Sequence, residues 1–298
     1  MLDQNILKQV REIFASLKSK ITFKATVDTN DEKKQELKTF LNDFASTSDQ
    51  LSVEYTEQAG ANLHFTLYKG DIATGISFRG IPNGHEFTSL LLAVLNADGQ
   101  GKNFPDETIQ QRIKALKGKI TLRTYVSLTC TNCPDVVQAL NLMTLINPNI
   151  SHEMVDGGLF QKEVAEHNIQ GVPAVYLGED AIHIGRGDLG MLLQKLEDKV
   201  GSEEDYSVEP IEREYDTLII GGGPAGTAAA IYTARKGLKV AVIAERIGGQ
   251  VNDTTSIQNL ISVPETSGTL LAADLKKHLN TYDIDLFEHR KITDVQLK

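Results

Sequence analysis

The run TLIIGGGPAGTAAAIYTARKGLKVAVIAE, Thr217 to Glu245, constrains the fold more than any other stretch of this chain. An apolar strand, Thr217 to Ile220, meets a Gly-rich turn, an Ala-rich helix to Arg235 and a second strand, Lys239 to Ala244. Two apolar strands joined through a helix predict a β-α-β unit and a parallel sheet. Gly221, Gly223 and Gly226 form G-x-G-x-x-G at the turn. The first glycine permits a tight turn, the second lets backbone approach a pyrophosphate, and the third lets helix and sheet pack closely. A helix N-terminus offers N–H groups to phosphates. Glu245 ends the second strand, where a carboxylate binds ribose hydroxyls. Gly248, Gly249 and Gln250 follow: a Gly pair lets backbone approach a ring, and Gln both donates and accepts. Asn259 is a further polar candidate, and a purely structural Gly-rich turn is the alternative.

The second constraint is chemical. The chain has only two cysteines, Cys130 and Cys133, spaced C-x-x-C between a strand (LRTYVSL) and a helix (PDVVQALNLM). That is no secreted disulfide framework. At a helix N-terminus the dipole and unpaired N–H groups stabilise a thiolate, the nucleophile of disulfide exchange. Cys133, one turn on, can resolve a mixed disulfide. Pro134 suits the first turn because its missing N–H would have no partner. Zinc is the alternative, but four ligands are needed and His152, His167 and His183 lack ligand spacing; each reads as a surface or core histidine. In GVPAVYL, Pro173 stands directly before a strand, as a cis proline beside the dithiol or as a turn proline at a strand edge.

Upstream, the pattern repeats. Residues 3–17 show helical apolar spacing, Ile21 to Val27 alternates like a strand, and residues 31–44 read as a helix. Strands follow at Leu51 to Tyr55, Leu63 to Tyr68 and Thr74 to Arg79, then a helix from Glu86 to Leu95. The next region gives a helix through Ile109, Ile113 and Leu116, a strand Ile120 to Val126 and a helix Cys133 to Leu145. A strand Ser151 to Val155, a helix Phe160 to Glu166, strands Ala174 to Leu177 and Ala181 to Ile184, and a helix Leu189 to Leu196 complete it. This is a degenerate duplication whose first copy lacks cysteine. Pro82 follows the strands of the first copy, whereas Pro173 precedes its strand in the second. If the copies pack face to face, Glu86 or His85 can adjust thiol protonation; helix capping and a surface position are the alternatives. The predicted domains are 1–104, 105–200, an acidic linker over 201–215 and a nucleotide-binding region over 216–298. The linker is too charged to pack.

The net charge of −10 argues against nucleic acid, which needs clustered Lys and Arg. No run approaches the ~18 apolar residues of a membrane helix. Asp3, Lys8, Arg11 and Glu12 interrupt any N-terminal signal core, so the expected location is cytoplasmic.

Taken together, SLTCTNCPDVVQALNLM, VDGGLFQ, GVPAV, IIGGGPAGTAAAIYTARKG, ERIGGQV and PNGHEFTSL resemble one family. It is the family of the flavoprotein subunits, the F type, of bacterial alkyl hydroperoxide reductases. The resemblance implies an α/β protein with two tandem thioredoxin-like folds, of which only the second carries the dithiol, followed by a Rossmann-type FAD-binding domain. It implies electron flow from NADH to FAD, to a further C-x-x-C, to the N-terminal dithiol, and then to a peroxiredoxin, the C-type partner of these reductases. Family members are homodimers. Cys130 would attack and Cys133 resolve, beside a cis Pro173, while Gly221, Gly223, Pro224, Ala225, Gly226, Glu245, Gly249, Gln250 and Asn259 match FAD-contact positions. Neither a second nucleotide fingerprint nor a second C-x-x-C occurs before Lys298, so the flavin domain is expected to be incomplete and to hold FAD weakly. Two readings stand beside this one: a general dithiol oxidoreductase, and a binding module with a structural Cys pair.

Overall fold

In the computed structural model, which describes residues 2–29, 33–101, 103–203 and 212–296, the strand alternation translates directly into burial. In β1 (Ile21–Val27) Ile21, Phe23, Ala25 and Val27 are buried, while Thr22, Lys24 and Thr26 face the other side. Side chains alternate across a pleated strand, so one face joins the core. Before β1 lies α1 (Gln4–Phe14), capped by the Asp3 carboxylate on the Asn5 N–H. After it come α2 (Lys34–Ala45), β2 (Leu51–Glu57), β3 (His64–Lys69) and β4 (Ile72–Arg79). A 3₁₀ turn, Gly84–Glu86, then leads into α3 (Phe87–Asp98).

The second copy runs α4 (Glu107–Lys114), β5 (Ile120–Val126), α5 (Cys133–Ile146), β6 (Ile150–Asp156), α6 (Gln161–Glu166), β7 (Ala174–Leu177), β8 (Asp180–Ile184) and α7 (Leu189–Val200). Leu116, expected on the first of these helices, lies beyond its end. The helix expected over 31–44 is described only from Lys34, and residues 31 and 32 lie outside the described ones.

All eight strands form one sheet in the order β2-β1-β3-β4-β6-β5-β7-β8. The two copies share an internal order and meet at a parallel seam, β4 on β6, with Ile76 opposite His152 and Phe78 opposite Met154. α3 and α5 pack against each other over this seam. α5 is buried on nearly every side, as a helix apolar all round must be. Residues 1–104 and 108–206 make one compact unit.

The second unit comprises residues 105–107 and 207–298. It holds β9 (Thr217–Ile220), α8 (Pro224–Ala234), β10 (Val240–Ile243), α9 (Gly268–Leu279) and β11 (Ile284–Phe287). Its three strands are parallel, in the order β11-β10-β9. Leu218 and Ile220 are exposed on the edge strand β9. Most of the acidic linker expected over 201–215 lies outside the described residues, which omit 204–211. No helix among the described residues is long and apolar enough to cross a membrane.

Candidate functional site

β5 delivers the chain to the top of the sheet, where a tight turn links it to α5. The Cys130 N–H donates to the Ser127 carbonyl at 2.9 Å, and the Ser127 and Thr129 hydroxyls lie 3.0 Å apart. Pro134 and Asp135 occupy the first turn of α5, a favourable place for both. Cys130 and Cys133 are joined as a disulfide, with 5.5 Å between their Cα atoms. They differ in access: Cys133 is fully buried and Cys130 only partly. The Val172–Pro173 peptide is cis, Pro173 is buried, and the Val172 carbonyl oxygen stands 3.8 Å from the Cys130 sulfur. Cys130, Cys133 and the Pro173 segment are thus gathered at one place.

Glu86 comes from the other copy. It closes the 3₁₀ turn that packs against α5, and it is fully buried. Its side chain makes no capping bond to α3, and its carboxyl oxygens have no well-formed hydrogen bond. The surface and capping alternatives for Glu86 therefore do not hold. Burial pushes its pKa up to about 7; the Ser89 hydroxyl opposes this in part and the Asp135 charge reinforces it. His85, its neighbour, is exposed.

The three histidines are dispersed. His152 is a core residue, with Nδ1 2.7 Å from the Asn141 Oδ1 and Nε2 2.8 Å from the Thr124 hydroxyl. Burial lowers its pKa to about 3, so it is neutral. His183 bonds the Gly185 carbonyl at 2.8 Å. Among the described residues no group of three or more His, Cys, Asp or Glu side chains is placed to hold a metal ion.

Sequence reasoning missed one cluster. On the sheet face opposite α5, the buried Arg79 guanidinium pairs with Glu163 at 2.6 Å and Glu153 at 3.2 Å, and lies 4.9 Å from the Phe160 ring centre. The Tyr125 hydroxyl donates to the same Glu163 at 3.1 Å. The one available signal was an arginine closing β4 on the face opposite Ile76 and Phe78.

In the second unit, the glycines carry the geometry. Gly221 has a φ of +105°, open to glycine at no steric cost. A Cβ on Gly226 would overlap the Gly221 carbonyl oxygen, so only glycine lets α8 sit this close to β9. Gly223 forms the N-cap of α8, where a Cβ would meet the Gly248 carbonyl oxygen at 3.9 Å; the Gly249 turn backs onto it. Pro224 and Ala225 are exposed at the start of α8, and Glu245 is exposed just past the end of β10. Gln250 is exposed on a 3₁₀ turn, Gly249–Asp253. This open cradle at the carboxyl ends of parallel strands fits a dinucleotide pyrophosphate. Asn259 is exposed on a separate loop, closed by the Ile257–Thr266 bridge.

Residues 120–196 match the thioredoxin domain model, and residues 215–297 the pyridine nucleotide-disulphide oxidoreductase model. The chain is 42% identical over 296 residues to the F-type subunit of alkyl hydroperoxide reductase from Staphylococcus aureus (strain N315), covering 99% of this chain and 57% of that protein. It is also 42% identical over 298 residues to a Bacillus subtilis (strain 168) protein named NADH dehydrogenase. The chain spans 57% of the length of these curated relatives. Among solved structures, the NTD_N/C domain of the alkylhydroperoxide reductase AhpF of Enterococcus faecalis (V583) is 33% identical, with a TM-score of 0.62. That match covers 66% of this chain and all of that one. A protein disulfide oxidoreductase of Aeropyrum pernix K1, 15% identical with a TM-score of 0.60 over 67% of this chain and 95% of that one, shares the fold.

Proposed function

The chain belongs to the family of alkyl hydroperoxide reductase flavoprotein subunits, the F type, and from that premise we propose that its Cys130–Cys133 pair carries two electrons to the disulfide of a cytoplasmic peroxiredoxin. The observation behind this reading is the unequal access of the two sulfurs: Cys130 is reachable and Cys133 is sealed beneath it. In the reduced chain the Cys130 thiolate attacks one sulfur of the partner disulfide. That S–S bond breaks, a mixed disulfide forms, and the partner's second sulfur leaves as a thiolate. Cys133, deprotonated, then attacks the Cys130 sulfur. The partner departs with two thiols, and the chain is left with the disulfide seen here. Val172 and Pro173 border the exposed sulfur and form the wall against which the partner chain lies. Glu86, buried against α5 with a pKa near 7, is the group assigned to the proton of the resolving thiol.

Residues 1–104 and 105–200 are read as the tandem thioredoxin-like folds, and 216–298 as part of a flavin domain. There Gly221, Gly223, Pro224, Ala225 and Gly226 would hold the pyrophosphate of FAD and Glu245 its ribose, with Gly249, Gln250 and Asn259 on the flavin side. Bound there, FAD would supply the two-electron acceptor for hydride from NADH.

The test uses the chain reduced chemically beforehand. Cys130→Ser is expected to abolish reduction of a peroxiredoxin disulfide. Cys133→Ser is expected to accumulate a mixed disulfide, visible as a thiol-sensitive band of the summed mass. Normal turnover by either variant would sink the proposal.

A further inference from the structure

The cysteine-free copy touches the dithiol turn through its backbone. Gly84 has a φ of +57°, and a Cβ built there would overlap the Leu128 carbonyl oxygen. The next residue, His85, donates its N–H to that same oxygen at 3.0 Å. Leu128 stands two residues before Cys130, inside the turn closed by the Cys130 N–H on Ser127. A carbonyl two residues before the reactive cysteine is thus held by the other copy.

We propose that the turn at Gly84 and His85 is a positioning element for the dithiol, gripping the Leu128 carbonyl and so setting where Cys130 stands at the N-terminus of α5. The proposal rests on the reading of Cys130–Cys133 as an exchanging pair. The field of a helix N-terminus falls off within one turn, so a small displacement of Cys130 changes the stability of its thiolate. The balance between dithiol and disulfide follows that stability.

Gly70 supplies a matched control. It too has a φ of +57°, yet nothing lies within 4 Å of a Cβ built on it. Gly84→Ala and Gly70→Ala therefore impose the same left-handed backbone on an alanine, and only the first pushes on the dithiol turn. Each full chain is equilibrated with reduced and oxidised glutathione. Two glutathione thiols give up two electrons and two protons and form one disulfide bond; the Cys130–Cys133 bond takes them and becomes two thiols. Gly84→Ala is expected to shift this equilibrium constant by about tenfold, or about 30 mV. Gly70→Ala should match the parent within about twofold. Equal constants for the two variants would overturn the grip while leaving the dithiol reading intact. A parent chain that does not exchange with glutathione would overturn that reading, and the proposal with it. If Gly84→Ala does not fold, amide exchange in the parent decides. A His85 N–H protected about a hundredfold or more supports the grip, and one exchanging at the rate of a free peptide overturns it.

Discussion

The two copies in the eight-stranded sheet share a strand order, β2-β1-β3-β4 against β6-β5-β7-β8, but fill their cores differently. The first is aromatic: Phe14 meets Phe44 edge-on at 5.5 Å, Phe23 meets Phe65 at 6.0 Å, and Phe65 stacks on Phe78 at 5.2 Å. The second is aliphatic beneath α5, built on Leu122, Leu140, Leu192 and Leu193, with Tyr125 and Tyr176 in a separate small cluster. Between its second and third strands the second copy inserts α6 and the cis Val172–Pro173 peptide. The first has only a short turn there, and the outer face of its sheet is polar, with Lys24 on Glu54 at 3.2 Å and Thr66 on Ser77 at 2.9 Å. The two copies thus share a frame, and only the second carries the Cys130–Cys133 pair. The cysteine-free first copy braces the other: α3 packs on α5, and the turn before it carries Glu86 and the His85 N–H that donates to the Leu128 carbonyl.

If the copies are one cooperative body, a lesion in either core lowers the same transition. Phe44→Ala should cost about 3–5 kcal/mol and Leu140→Ala about 2–5 kcal/mol in urea unfolding. Two separated transitions, each moved by only one substitution, would break the comparison.

The buried carboxyl of the brace sharpens it through pH. With its pKa near 7 in the fold and near 4.5 when unfolded, Glu86 keeps a proton in the native chain that the unfolded chain releases. Its contribution is full below pH 4.5 and lost as pH rises through 7, a change of about 3 kcal/mol. Glu86→Gln should flatten this slope relative to the parent between pH 5 and pH 8; parallel profiles would show that Glu86 is ionised throughout.

On the outer face, Arg79→Met strips the partner from Glu153 and Glu163 and should cost about 3 kcal/mol. The smallest effect belongs to Arg123→Ala, whose partner Glu179 is 78% exposed; about 1 kcal/mol or less is expected. Equal costs for the two arginines would remove the distinction between the seam and the periphery.

Much of this was legible residue by residue. The alternation in ITFKATV placed β1, and the apolar spacing in PDVVQALNLM placed α5 as a helix. Cys130, Cys133 and Pro173 declared themselves by type and spacing. The seam did not, because β4 and β6 are distant in sequence and parallel pairing leaves no local mark. Glu86 was ambiguous, since a polar residue ahead of a helix reads as a cap; only packing against α5 shows that it is sealed. Nothing local marks Gly84, because the Leu128 carbonyl against it comes from a distant segment of the chain. Asn141, His152 and Thr124 hydrogen-bond in a chain across three elements, a match that no linear pattern encodes.

The seam between β4 and β6 also bears on solubility. An open strand edge presents unpaired N–H and C=O groups that recruit other chains. Two separate four-stranded sheets would leave four such borders, whereas joining them side by side leaves two. One is β2, where Glu54 and Glu57 carry charge, and the other is β8, a short strand that opens on Asp180. Doubling the fold in this way halved the frontier at which a misplaced neighbour could begin an aggregate.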